Sequence, residues 1–92
     1  MIESFRHKGL KRLYERDDAR GIKTQHAEKI ALILTTLDAA ETIEAMNLPS
    51  FRLHRLSGDL AGYWSVTVRA NWRIIFRFEA GSALDVDLVD YH

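Results

Sequence analysis

The stretch Y-W-S-V-T-V-R-A-N-W-R-I-I-F-R-F, Tyr63 to Phe78, decides the fold. Trp64, Val66 and Val68 alternate with Ser65, Thr67 and Arg69, and Trp72, Ile74, Phe76 and Phe78 alternate with Arg73, Ile75 and Arg77. Successive side chains of a strand point to opposite faces, so this period of two marks two half-buried strands. A tight turn at Ala70 and Asn71 makes the pair antiparallel and places Arg69, Arg73 and Arg77 together on the face turned away from the core.

Toward the carboxyl end, Leu84, Val86 and Leu88 predict a last strand whose other face carries Asp85 and Asp87. Gly58, Gly62 and Gly81 punctuate this half of the chain. Before Pro49, the only proline, the period is helical. Leu10, Leu13 and Tyr14 share one side of a helix over Lys8 to Arg16, with Lys8, Lys11, Arg12 and Arg16 on the other. Ala27, Ile30, Ala31, Leu34 and Leu37 predict a second helix, capped by Thr24 or its neighbour, which the acidic run Asp38 to Glu44 extends by a turn. The expected fold is α+β: two to three helices packed on one face of a mainly antiparallel four- or five-stranded sheet, with a short opening strand near Ile2 to Phe5.

The 92 residues suit a single domain spanning 1–92, too small to enclose a drug-sized cavity, so an active site should be an open cleft. There is no cysteine, which excludes a thiolate zinc site and a cysteine nucleophile. Met1 to Leu10 lacks the apolar stretch of a secretory signal, and the longest apolar run, Ile30 to Leu34, is far short of the roughly 20 residues that span a bilayer. A cytoplasmic protein with no membrane partner is expected.

Thirteen basic residues balance thirteen acidic ones, yet the charge is segregated. Residues 1–23 carry seven basic and four acidic groups, 24–50 one and four, 51–77 five and one, and 78–92 none and four. Nine of the thirteen cations are arginines, whose planar fork suits phosphate. Neighbouring strands that neutralise one another would give the same pattern.

No glycine-rich phosphate loop, H-E-x-x-H or G-x-S-x-G is present. His7 and His26 fall near helix starts, where capping or surface roles suffice. His54 lies between Leu53 and Arg55, and His92 follows Asp90 and Tyr91. Two histidines with a carboxylate can act as general base and acid, and Arg69 or Arg73 can stabilise charge on a phosphate. Spacing alone favours structural or surface roles for both histidines over catalysis. No helical i, i+4 histidine pair favours a metal site, so metal-free chemistry without a cofactor is expected.

The segments S-F-R-H-K-G-L (Ser4 to Leu10), L-H-R-L-S-G-D (Leu53 to Asp59), Y-W-S-V-T-V-R-A-N-W-R-I (Tyr63 to Ile74) and the terminal V-D-Y-H resemble, in order and along the whole chain, the HigB toxins of bacterial toxin-antitoxin pairs. These belong to the RelE superfamily and are also described as plasmid maintenance killer proteins. The resemblance implies a small RelE-like toxin domain, cleavage of messenger RNA in the decoding site of the ribosome, and a HigA-like helix-turn-helix antitoxin as partner. It implies a catalytic set of His54, Arg73, Asp90, Tyr91 and His92. Arg69 becomes a secondary candidate for phosphate or ribosomal RNA, and the stripe of Lys8, Lys11, Arg12 and Arg16 a candidate ribosomal RNA grip. Many relatives carry lysine where this chain has Ser57, which shifts the expected positive charge to Arg55, Arg69 or Arg73. The rival reading is a non-catalytic module that blocks the ribosome or only holds the antitoxin.

Overall fold

A computed structural model describes residues 1–91. Helix α1 spans Lys8–Arg16, and His7 caps it: its Nδ1 accepts the Leu10 N–H at 3.1 Å, satisfying one of the orphan donors of the first turn. Asp17 ends α1 in the left-handed region, φ 54°. A Cβ on Gly9 would lie 2.6 Å from the Gly21 carbonyl oxygen, so α1 sits against the loop before the next helix only because both glycines lack side chains.

Helix α2 spans Thr24–Ala39 and buries His26, Ile30, Ile33, Leu34 and Leu37. Lys23, with extended backbone, occupies the cap position, so Thr24 begins the helix. The expected acidic extension does not form. Ala40 is extended and buried, and a separate 3-10 turn follows at Ile43–Met46. Tertiary contacts outweigh local propensity here: the Asp38 carboxylate accepts the Ile2 N–H at 3.0 Å and the Tyr14 hydroxyl at 2.7 Å, while burial of Ala40 and Met46 draws the chain back to the core. Those two hydrogen bonds hold Asp38 below the usual carboxylate range.

The sheet contains β1 (His54–Arg55), β2 (Trp64–Arg69), β3 (Trp72–Glu79) and β4 (Ser82–Asp90), in that order and antiparallel throughout. The opening segment lies parallel to β4 through single bridges at Ile2–Ala83 and Phe5–Val86. Both helices contribute to one apolar core, where Leu10, Ile30, Ile33, Leu37, Ile74 and Phe76 meet. Full burial of a side chain such as Phe76 contributes roughly 1.5–3 kcal/mol.

Two bulges change which face a residue occupies. Thr67 pairs with Arg73, but Arg69 pairs with Trp72, the register shifting between them. Arg69 therefore shares the helix-bearing face with Trp72 and not, as the alternation predicts, the outer face with Arg73 and Arg77. In β4, Asp85 takes φ 52° at the second shift, so Ala83, Val86 and Leu88 serve the core while Leu84 pairs with Arg77 on the outer face. The predicted Leu84–Val86–Leu88 stripe is broken by that extra residue.

Candidate functional site

The helices cover one face of the sheet, and the other carries the candidate site. Its register rows are His54–Ser65–Ile75–Asp87 and Thr67–Arg73–Val89. Phe51, fully buried, anchors the approach to β1, and its carbonyl accepts the Thr67 N–H at 2.7 Å. Arg52 follows with φ 50°, a left-handed conformation costly for a long side chain and held here by the anchored neighbour. At the opposite rim the Tyr91 N–H donates to the Asn71 carbonyl at 2.8 Å, tying the end of the chain to the β2–β3 turn.

Arg52, His54, Leu56, Ser65, Thr67, Arg73 and Tyr91 thereby line one open cleft of about 360 Å³. Arg73 is half-buried, and its Nη1 donates to the Ala70 carbonyl at 2.7 Å, which aims the guanidinium along the turn. Two guanidinium groups, an exposed imidazole, a phenol and two hydroxyls converge, with no carboxylate in the lining among the described residues. Such a cleft can bind a phosphodiester, offer an imidazole to exchange a proton, and stabilise added negative charge. The hollow between α1 and α2, about 390 Å³, contains Asp17 and Asp38 and no cation, which does not suit phosphate.

Among the sequence-predicted residues the cleft unites His54, Arg73 and Tyr91. Asp90 pairs with Trp72, and so sits in register on the other face. His92 lies outside the described residues. Arg55 pairs with Trp64 on the helix side and holds its guanidinium 5.2 Å from that ring. Arg69 stands beside Trp72 and His26. Lys8, Lys11, Arg12 and Arg16 form a separate exposed stripe on α1 with Glu15. Ser57 is exposed and does not line the cleft. The sequence reading passes over Arg52, although F-R-L-H carries the signal: Phe51 and Leu53 turn to the core, which sends Arg52 and His54 outward together. Among the described residues no three histidine or carboxylate groups gather as metal ligands, and no helix is long and apolar enough to cross a membrane.

Comparison with known proteins agrees with this geometry. The chain matches, over residues 3–92, the family model described as the RelE-like toxin of the type II toxin-antitoxin system HigB. It is 47% identical over 92 residues to the Endoribonuclease HigB of Proteus vulgaris, covering 100% of each chain. It is 34% identical over 91 residues to Toxin HigB-1 of Vibrio cholerae, covering 96% of this chain and 95% of that one. Two solved structures share the fold. The YoeB dimer from Staphylococcus aureus has a TM-score of 0.61 at 15% identity, covering 99% of this chain and 94% of that one. A point mutant of YafQ from E. coli has a TM-score of 0.56 at 17% identity, covering 98% of this chain and 91% of that one. The match to the family model over residues 3–92, together with the two relatives, places this chain in the HigB family of RelE-like toxins.

Proposed function

We propose that the chain is a ribosome-dependent endoribonuclease toxin that cuts messenger RNA in the decoding site without a metal, acting as one domain over residues 1–92. The observation that carries this reading is the convergence of His54, Arg73 and Tyr91, with Arg52, in one cleft lined by no carboxylate among the described residues. In this reaction the ribose 2′-oxygen attacks the adjacent phosphorus, its proton passes to a base, and the phosphorus–O5′ bond breaks as an acid protonates the leaving oxygen. The products are a 2′,3′-cyclic phosphate and a 5′-hydroxyl. His54 is one of the acid–base pair and His92 the other, with Tyr91 stacking on or positioning a base. Arg73, assisted by Arg52, neutralises the phosphate.

An open cleft on a chain this small needs its substrate aligned by a large partner, which is the part given to the ribosome. Lys8, Lys11, Arg12 and Arg16 suit ribosomal RNA, and Arg55 and Arg69 meet RNA outside the cleft. Membership of a toxin-antitoxin family implies an antitoxin; a HigA-like helix-turn-helix protein in the same cytoplasm is the proposed one. Primer extension on a translated messenger, in EDTA and with or without ribosomes, tests the reading. The expected result is ribosome-dependent cutting that leaves a 2′,3′-cyclic phosphate. Stalled translation on intact messenger would instead identify a blocking module.

A further inference from the structure

The bulge that takes Arg69 out of the cleft delivers it to a second group of cations. At the start of α2, the Lys23 ammonium lies 4.7 Å from the centroid of the Trp72 ring, and the His26 ring packs 5.7 Å from the same centroid, tilted by 54°. Arg69 is in register with Trp72 from β2. Neither Lys23 nor Arg69 enters a salt bridge among the described residues. His26 is only 3% exposed. Burial, then Lys23, then Arg69 hold its pKa below the ordinary value. The groups facing it are thus Lys23 on its own helix, Arg69 on β2 and Trp72 on β3; Asp90 stands one strand further, in register with Trp72.

Arg77, further along the sheet, has carboxylate partners within salt-bridge distance, and among the described residues Lys23 and Arg69 do not. Two cations gathered about a buried imidazole concentrate positive potential at this edge of the sheet. An anion seated between Lys23 and Arg69 would offset both charges and let His26 take a proton and donate to it. The location narrows the anion's identity. The Ala70–Asn71 turn separates this group from the cleft, and it is held from the cleft side by the Arg73 guanidinium on the Ala70 carbonyl and by the Tyr91 N–H on the Asn71 carbonyl. A strand leaving the cleft over that turn arrives at Lys23 and Arg69.

We propose that Lys23, His26, Arg69 and Trp72 form an edge subsite for a backbone phosphodiester of the same RNA strand that occupies the cleft. This rests on the cleft being an RNA site, and the experiment separates the two. The probes are 2′-O-methyl oligoribonucleotides, which cannot be cut by 2′-oxygen attack, three and eight residues long. Their affinity for the full chain is measured by anisotropy across salt concentrations. The longer RNA should bind more tightly and with a steeper salt dependence.

Combining Lys23→Ala with Arg69→Ala, both on exposed side chains, should flatten the eight-residue salt slope by about 1.4, at roughly 0.7 per contact for single strands, and leave the three-residue RNA unchanged. Lowering the pH from about 7.5 to about 6, across the ordinary histidine range, should tighten the longer RNA relative to the shorter, and His26→Gln should remove that difference. Because His26 is buried, its variant is read only if the fold survives; the exposed double variant decides the question alone. Equal losses for both lengths, an unchanged slope in the double variant, or no binding of either RNA to the wild type would overturn the subsite. Failure of the three-residue RNA alone counts against the cleft and not against the edge.

Discussion

Arg73 and Arg77 stand four residues apart on the same outer face of β3, and the molecule treats them in opposite ways. Arg77 is enclosed by carboxylates: it pairs with Glu79 and, at 3.0 Å, with Asp85, and these hold its pKa above the ordinary arginine value, Glu79 contributing most. The Arg6 pKa is raised as well, by Tyr63 first and then by Asp87. Arg73 donates only to a backbone carbonyl, and no carboxylate comes within salt-bridge distance of it among the described residues. One half of the outer face is electrically settled and the other retains its charge for a ligand. Spacing alone makes the two arginines equivalent; the carboxylates opposite them decide which can meet a phosphate.

The comparison can be broken or sharpened experimentally. His54→Ala, in the open half, should cost most, about 10²–10⁴ in cleavage rate if the imidazole moves a proton. A folded His54→Ala protein with wild-type cleavage would dissolve the distinction. Arg73→Ala should slow cleavage about a hundredfold, corresponding to about 3 kcal/mol of lost transition-state stabilisation, with the melting curve retained. Arg77→Ala should leave the cleavage rate unchanged and the fold nearly so, since exposed ion pairs contribute little. A loss with Arg77→Ala matching that with Arg73→Ala would mean that the whole face, not one half, meets RNA.

The smallest effect belongs to the helix-bearing face. His26 has a lowered pKa, so below the ordinary value of about 6.5 the unfolded chain binds a proton that the folded chain resists. The stability contributed by neutral His26 is complete above that value and is lost as pH falls through the lower folded pKa. Urea midpoints at pH 7.5 and 5.5 should differ more for the wild type than for His26→Leu.

Much of this architecture is legible in the sequence because period and punctuation are local. The limits of α1 follow from Leu10, Leu13 and Tyr14, and β2 and β3 from strict alternation. The failures share one cause, since a bulge adds a residue without altering composition. The shift between Thr67 and Arg69 reverses Arg69, and the one at Asp85 reverses Leu84, yet neither leaves a glycine or proline as a marker. The end of α2 is hidden for another reason, because Asp38 is claimed by Ile2 and Tyr14, residues 36 and 24 positions away. In the site, His54, Arg73 and Tyr91 are reached through family resemblance, whereas Arg52 is available from alternation alone.

The opening segment has a consequence for the order of folding. The Glu3 N–H donates to the Ala83 carbonyl, the Val86 N–H to Ser4 and the Arg6 N–H to Val86, while Asp38 clamps Ile2 from the helix side. Residues 3–6 thus close against residues 83–86, at long sequence separation. Pairings so distant carry a high loop-closure cost and form slowly. Until β4 emerges, β3 presents an unpaired edge and the first six residues have nothing to pair with. Formation of β4 therefore completes both the sheet on which the cleft is built and the docking of the opening segment, so the cleft gains its full support only after that long-range closure.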